Sequence, residues 1–149
     1  MLLELLATHK VNVPTPVAAK VSQEGLVYKA DILIEKISDA EDLVKILSNK
    51  KLSDSHFNDI GHQIRKMHDA GVNHTDLNIH NILVDKADKV WIIDFDKCVT
   101  QTGNNWKESN LKRLKRSFEK EVRLGRIDAQ HFDFSQIEQG YKVSTLESL

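Results

Sequence analysis

His74-Thr75-Asp76-Leu77-Asn78-Ile79-His80-Asn81-Ile82-Leu83-Val84, followed by Val90-Trp91-Ile92-Ile93-Asp94-Phe95-Asp96, is the stretch whose reading decides the fold. Its first part reads as a loop holding Asp76 and Asn81 five residues apart. Apolar Ile82, Leu83 and Val84 make a short strand, a turn spans Asp85 to Asp88, and a second strand over Val90–Ile93 ends on Asp94. Such a hairpin delivers three oxygen-bearing side chains to one place. The Asp76 carboxylate can receive a hydroxyl proton, while the Asn81 amide and the Asp94 carboxylate suit a hard cation such as Mg²⁺. Phosphoryl transfer needs this combination of charge stabilisation and a positioned nucleophile.

A lone His-x-Asp is commonly a plain loop, since Asn, Asp and His are all common in turns. The joint pattern, His-x-Asp-x-x-x-x-Asn with Asp-Phe after the next strand, is far more specific and resembles the protein-kinase catalytic loop and its metal-binding partner. Two departures narrow the likeness. Asn78 stands where a protein kinase usually has Lys, and Asp96 replaces the Gly of Asp-Phe-Gly. With Gly71-Val72-Asn73 before the loop and Lys97-Cys98 after it, the stretch resembles the 3-deoxy-D-manno-octulosonic acid (Kdo) kinase family. That likeness extends through Val13-Pro14-Thr15-Pro16, Ala30–Ile37 and Asn110–Ser117.

The resemblance implies an α+β, protein-kinase-like fold: a remnant of the small β-lobe over 1–37 and a mainly helical large lobe over 38–149. It implies transfer of the ATP γ-phosphoryl to a hydroxyl of lipid A-linked Kdo, with Asp76 as catalytic base and Asn81 and Asp94 on Mg²⁺. Asn78 would touch the transferred phosphate or the acceptor. The backbone of Glu35-Lys36-Ile37 would be the hinge that meets the adenine, and His74 would brace the loop near Phe95. Upstream of residue 11 there is no room for the Gly-rich loop or the strand Lys that kinases use, and Glu4 sits too close to the helix end to be assigned as the Glu partner of that Lys. The expectation is therefore a chain resembling the family without its amino-terminal part. Two other readings stay open: a catalytically silent kinase-like module, and an aminoglycoside-type small-molecule kinase sharing the loop logic.

Composition sets looser bounds. The 149 residues, 40% hydrophobic and 29% charged, suit one modest soluble domain. A net charge of −1 means that any anionic partner must meet a local patch. The single cysteine, Cys98, cannot form an internal disulfide and reads as a small packed residue. No apolar run approaches the roughly 20 residues of a membrane span, and Glu4 stands where a signal peptide carries positive charge. The expected location is the cytoplasm, peripheral on the inner face of the membrane. Seven histidines show no zinc-like spacing, and His62 and His68 read as helix-surface residues.

Outward from the loop, the apolar positions mark the remaining elements. Leu2, Leu3, Leu5 and Leu6 suggest a buried helix end, stopped by Pro14 and Pro16. Val17–Ser22 and Leu26–Ile37 read as strands around a turn at Gln23-Glu24-Gly25. Ser38 to Glu41 reads as a capping box opening a helix with Leu43, Val44, Ile46 and Leu47 on its buried side. A longer helix from Ser53 to Ala70 carries the stripe Phe57, Ile60, Ile64 and Met67, and Gly71 closes it. After a polar turn over 100–105, Trp106 opens a basic helix with Leu111, Leu114, Phe118 and Val122 inward. Its Lys107, Lys112, Arg113, Lys115, Arg116, Lys120, Arg123 and Arg126 form either a plain solvated face or a patch for lipid A phosphates or the anionic inner leaflet. Nucleic acid is disfavoured, because no interleaved aromatics or known module accompany the charge. A short helix over Phe132–Tyr141 follows, and Lys142–Leu149 reads as a fraying end.

Overall fold

The computed structural model describes residues 2–24, 27–34 and 37–143, the side chains of 16–36 excepted, and among these described residues there are five helices and three small sheets. In order these are α1 (Leu2–Thr8), β1 (Pro16–Glu24), β2 (Val27–Ile34), β3 (Ala40–Asp42), α2 (Leu43–Asn49) and α3 (Asp54–Asp69). They continue with β4 (Val72–Asn73), a 3-10 turn (Ile79–Asn81), β5 (Ile82–Asp85), β6 (Val90–Ile92), β7 (Val99–Thr100), α4 (Asn105–Arg123) and α5 (Phe134–Lys142). The class is mixed α+β.

The pillar of the core is α3. Ser53 caps it, its hydroxyl accepting from the His56 amide, and Phe57, Ile60, Ile64 and Met67 are fully buried, as the stripe predicts. Removing such a side chain from water contributes about 1.5–3 kcal/mol. Gly71 then takes φ +75°, a left-handed turn that a side chain would strain. The chain leaves α3 there and returns at β7, which pairs antiparallel with β4, while the Gln101 amide donates to the Gly71 carbonyl at 2.8 Å. These bonds clasp the two ends of the segment between Val72 and Thr100.

Inside that clasp, β5 and β6 form the expected hairpin, with Leu83 opposite Trp91. Asp85 fastens its turn by accepting from the Ala87 and Lys89 amides and from the Trp91 indole, bonds that hold its carboxyl below the usual range. On its far side β6 meets residue 12: the Ile92 amide donates to the Asn12 carbonyl, and the Asn12 side chain donates to the Val90 carbonyl at 2.9 Å. Buried Val11 and Val13 pin this segment, and α1 buries Leu3 and Leu6 while Leu2 and Leu5 are only partly covered.

Three expectations need correction. The capping box over Ser38–Glu41 does not form. Ala40–Asp42 instead pairs with Leu83–Asp85, and Asp42 caps α2 by accepting from the Lys45 amide. The exposed edge of β5 supplies tertiary hydrogen bonds that outweigh a local cap. His68 is fully buried rather than on the surface. Its Nε2–H donates to Asn110 Oδ1 at 3.2 Å, its Nδ1 accepts from the Tyr141 hydroxyl at 2.7 Å, and burial pushes its pKa down to about 4. His62 is half-buried, bonded to the Gly140 carbonyl at 2.9 Å. Finally, the inward face of α4 is turned: Trp106, Asn110, Leu114, Phe118 and Glu121 are buried, while Leu111 and Val122 are partly exposed. The expected fraying over Lys142–Leu149 falls, beyond Val143, outside the described residues.

Candidate active site

The loop between β4 and β5 is held from within by His74, whose side chain is fully buried. Its Nε2–H donates to the Ile93 carbonyl at 2.9 Å, and its Nδ1 accepts from the Asp76 amide at 3.2 Å. Acceptance at Nδ1 requires the neutral ring, and burial lowers the His74 pKa, partly offset by the Ile93 carbonyl. The ring lies 4.9 Å from that of Phe95. His74 thus ties the residue before Asp94 to the backbone of Asp76, the bracing role its motif implies.

Asn81 provides a second tie. Its side-chain amide donates to the Asp76 carbonyl at 2.9 Å, and its own carbonyl accepts from the Ile93 amide at 3.0 Å. Asn78 caps the 3-10 turn: its Oδ1 accepts from the His80 amide, while its Nδ2 donates to both the carbonyl and the carboxylate of Asp76, each at 3.1 Å. The loop is therefore fixed through backbone groups, leaving the Asp76 carboxylate turned outward.

Asp76 and Asp94 line one open cavity of about 320 Å³, with Thr75, Asp96 and Lys97. Asn81, buried, and Asn78 are not among its lining residues. Asp94 has φ +64°, a left-handed backbone that Asp tolerates and that carries strain of about 1–3 kcal/mol when it occurs at functional sites. Among the described residues no side chain bonds the Asp94 carboxylate. Asn81 turns its nitrogen to the Asp76 carbonyl, and its side-chain oxygen has no hydrogen-bond partner among the described residues. These are hard oxygen donors, the set that suits Mg²⁺. Among the described residues no three His, Cys, Asp or Glu side chains could hold an ion together. Mg²⁺ is commonly bound through only one or two carboxylates, with water and phosphates completing its shell. Of the three residues expected to form the hinge, Ile37 is partly buried, and Glu35 and Lys36 lie outside the described residues. Cys98 follows the cavity wall, and burial pushes its thiol pKa up, away from the reactive thiolate.

Sequence reasoning missed what stands behind the loop. The Ile79 amide donates to the Ser117 hydroxyl at 2.9 Å, and His80 Nε2–H donates to Glu121 at 3.0 Å. Glu121 is 2% exposed and also accepts from Arg126 at 3.3 Å. Two α4 side chains thus hold the turn that carries Asn81. The signal was available, since Glu121 falls seven residues after Leu114 and three after Phe118, on their face of the helix.

A family model described as lipopolysaccharide kinase (Kdo/WaaP) family matches residues 1–141. The chain belongs to this family. Membership implies a protein-kinase-like fold, in keeping with the loop and hairpin just described. The chain is similar to proteins named 3-deoxy-D-manno-octulosonic acid kinase. It is 64% identical to that of Vibrio cholerae over 122 residues, covering 82% of this chain and 52% of the relative. It is 54% identical to that of Vibrio parahaemolyticus, covering 90% and 56%, and 48% identical to one from Haemophilus influenzae, covering 87% and 55%. The chain spans about half the length of these curated relatives of the family.

Proposed function

We propose that this chain carries the phosphotransfer centre of a kinase that moves the ATP γ-phosphoryl onto a hydroxyl of Kdo linked to lipid A. The observation that carries this reading is the placement of Asp76 and Asp94 on one cavity by a loop fastened through its backbone. Asp76 orients the acceptor hydroxyl and takes its proton. Asp94 and Asn81 hold Mg²⁺, which when bound would offset the charge of the donor phosphates. Asn78 orients Asp76. The adenine edge meets the backbone near Glu35 and Ile37, between a small lobe over 1–37 and a large lobe over 38–149. The relatives' names support the acceptor. The test is transfer of label from γ-labelled ATP to Kdo-lipid A, with free Kdo and an aminoglycoside as competing acceptors. Label on the aminoglycoside alone would sink the acceptor assignment, and no label even from a form extended to the relatives' length would sink the reading.

The acceptor's lipid anchor calls for a membrane-facing surface, and α4 offers one. Among the described residues no helix is long and apolar enough to cross a membrane. Lys112 pairs with Glu108 and Arg126 with Glu121, but Arg113, Lys115, Arg116, Lys120 and Arg123 are exposed and form no ion pair among the described residues. Basic residues near an anionic leaflet contribute about 1 kcal/mol each. The chain should therefore sediment with anionic vesicles at low salt and be released at high salt. Changing Arg113, Lys115, Arg116 and Lys120 to Gln should abolish sedimentation. Binding that ignores both salt and these substitutions would make α4 an ordinary solvated face.

A further inference from the structure

Among the described residues, the cavity that holds Asp76 is short of positive charge. Its lining has three carboxylates, Asp76, Asp94 and Asp96, and one ammonium, Lys97. Moving an anionic phosphoryl group beside three carboxylates requires preorganised cations or donors aimed at the developing charge. The loop does not supply one. The position two residues after Asp76 holds Asn78, neutral and fully engaged: its oxygen caps His80, and its nitrogen serves Asp76.

We propose that Lys97 is the catalytic cation of this site, reaching from the segment after β6 to an oxyanion bound beside Asp76. This rests on the kinase reading above. Three observations carry it. Lys97 lines the same cavity as Asp76 and Asp94. Its backbone is fastened to the loop, because the Thr75 hydroxyl donates to the Lys97 carbonyl at 3.1 Å, and the adjacent turn is closed by the Cys98 amide on the Phe95 carbonyl at 3.1 Å. Its exposed side chain joins no ion pair among the described residues, so its three donors are available to a ligand. A flexible stem rooted at a fixed point can follow a charge that moves during the reaction.

The oxyanion has two possible sources with one chemistry: the phosphoryl group in transfer, or the carboxylate of the acceptor sugar acid. In the reaction, the bond from the γ-phosphorus to the bridging oxygen breaks and its electron pair leaves with ADP. The acceptor hydroxyl oxygen bonds to phosphorus, and its proton passes to Asp76. Lys97 stays protonated throughout, donating hydrogen bonds.

The experiment compares Lys97→Met and Lys97→Arg with the unsubstituted protein, each extended to the relatives' length, measuring kcat, the acceptor KM and the Kd for Mg-ATP, with thermal melts as a folding control. Lys97→Met should keep its melting temperature and its Mg-ATP affinity. A fall in kcat of about 10²–10³, the size seen when one preorganised donor is removed, places Lys97 on the phosphoryl group. A rise in acceptor KM of about tenfold or more with kcat preserved, as expected when binding common to ground and transition states is removed, places it on the sugar carboxylate. In either case Lys97→Arg should recover part of the loss. Unchanged kcat and KM in Lys97→Met, or Arg no better than Met, overturns the inference while the kinase reading stands. No transfer by the unsubstituted protein at the relatives' length would overturn the reading and the inference together.

Discussion

Gly61→Ala should lower the melting temperature by about 10 °C, although replacing glycine by alanine inside a helix ordinarily stabilises by about 0.5–1 kcal/mol. Gly61 lies within α3 where α5 crosses it. A Cβ there would overlap the Ile137 carbonyl oxygen and come within 2.6 Å of the Tyr141 nitrogen. The contact is reciprocal, since a Cβ on Gly140 would overlap the Asn58 carbonyl. The obstacles are backbone atoms, which cannot rotate away, so the helices must part. Parting them strains the bonds that join them: His62 to the Gly140 carbonyl, Asn58 to Gln136 at 3.0 Å, and His68 to Tyr141. The cost falls at the upper end for overpacking, about 3 kcal/mol, against a whole-domain stability of about 5–15 kcal/mol. At this chain length each kcal/mol moves the melting temperature by about 2–4 °C. Circular dichroism melts and urea titrations of Gly61→Ala and Gly140→Ala measure it. A melting temperature unchanged or raised in both would mean that the two helices stand farther apart than described here.

Those glycines show where sequence reading stops. A glycine needed for a turn announces itself, as Gly71 does at the end of a periodic helix. A glycine needed because another backbone lies against it looks like a weak helix residue until the partner helix is known. The catalytic segment was legible for the opposite reason: its loop, strand, turn and strand are all local, and each fixes the next. The start of α2 was misread because Ser38–Glu41 satisfies a local rule while a distant strand, β5, offers more bonds. His68 was misread by residue type, and Glu121 drew no reading at all. Both occupy inward positions, His68 four residues after Ile64 and Glu121 three after Phe118, and periodicity alone would have buried them. What periodicity could not supply is their partners, Asn110 and Tyr141 for one and His80 and Arg126 for the other, which make such burial affordable.

Asp94→Asn and Asp76→Asn should separate nucleotide binding from transfer. The substitutions are nearly isosteric, so neither should disturb the fold. The loop's ties to His74 and Asn81 run through the Asp76 amide and carbonyl, not its carboxylate. The one bond to that carboxylate, from Asn78, can be accepted equally by an amide oxygen. Asp76→Asn should therefore leave Mg-ATP affinity within about twofold, a change of about 0.4 kcal/mol. It removes the only proton acceptor the reading assigns to the acceptor hydroxyl. General-base catalysis contributes about 10²–10⁴-fold, and kcat should fall by that factor. The Asp94 carboxylate has no partner among the described residues and offers an anionic hard ligand to Mg²⁺. An amide keeps one oxygen but loses the charge, so Asp94→Asn should weaken Mg-ATP binding by tenfold or more, about 1.4 kcal/mol, and abolish transfer with it. Calorimetry with Mg-ATP and with ATP in excess chelator checks the first effect, and single-turnover transfer checks the second. Equal loss of nucleotide affinity in both variants would mean that Asp76 and Asp94 serve one ligand, and the division between base and metal holder would have to be given up.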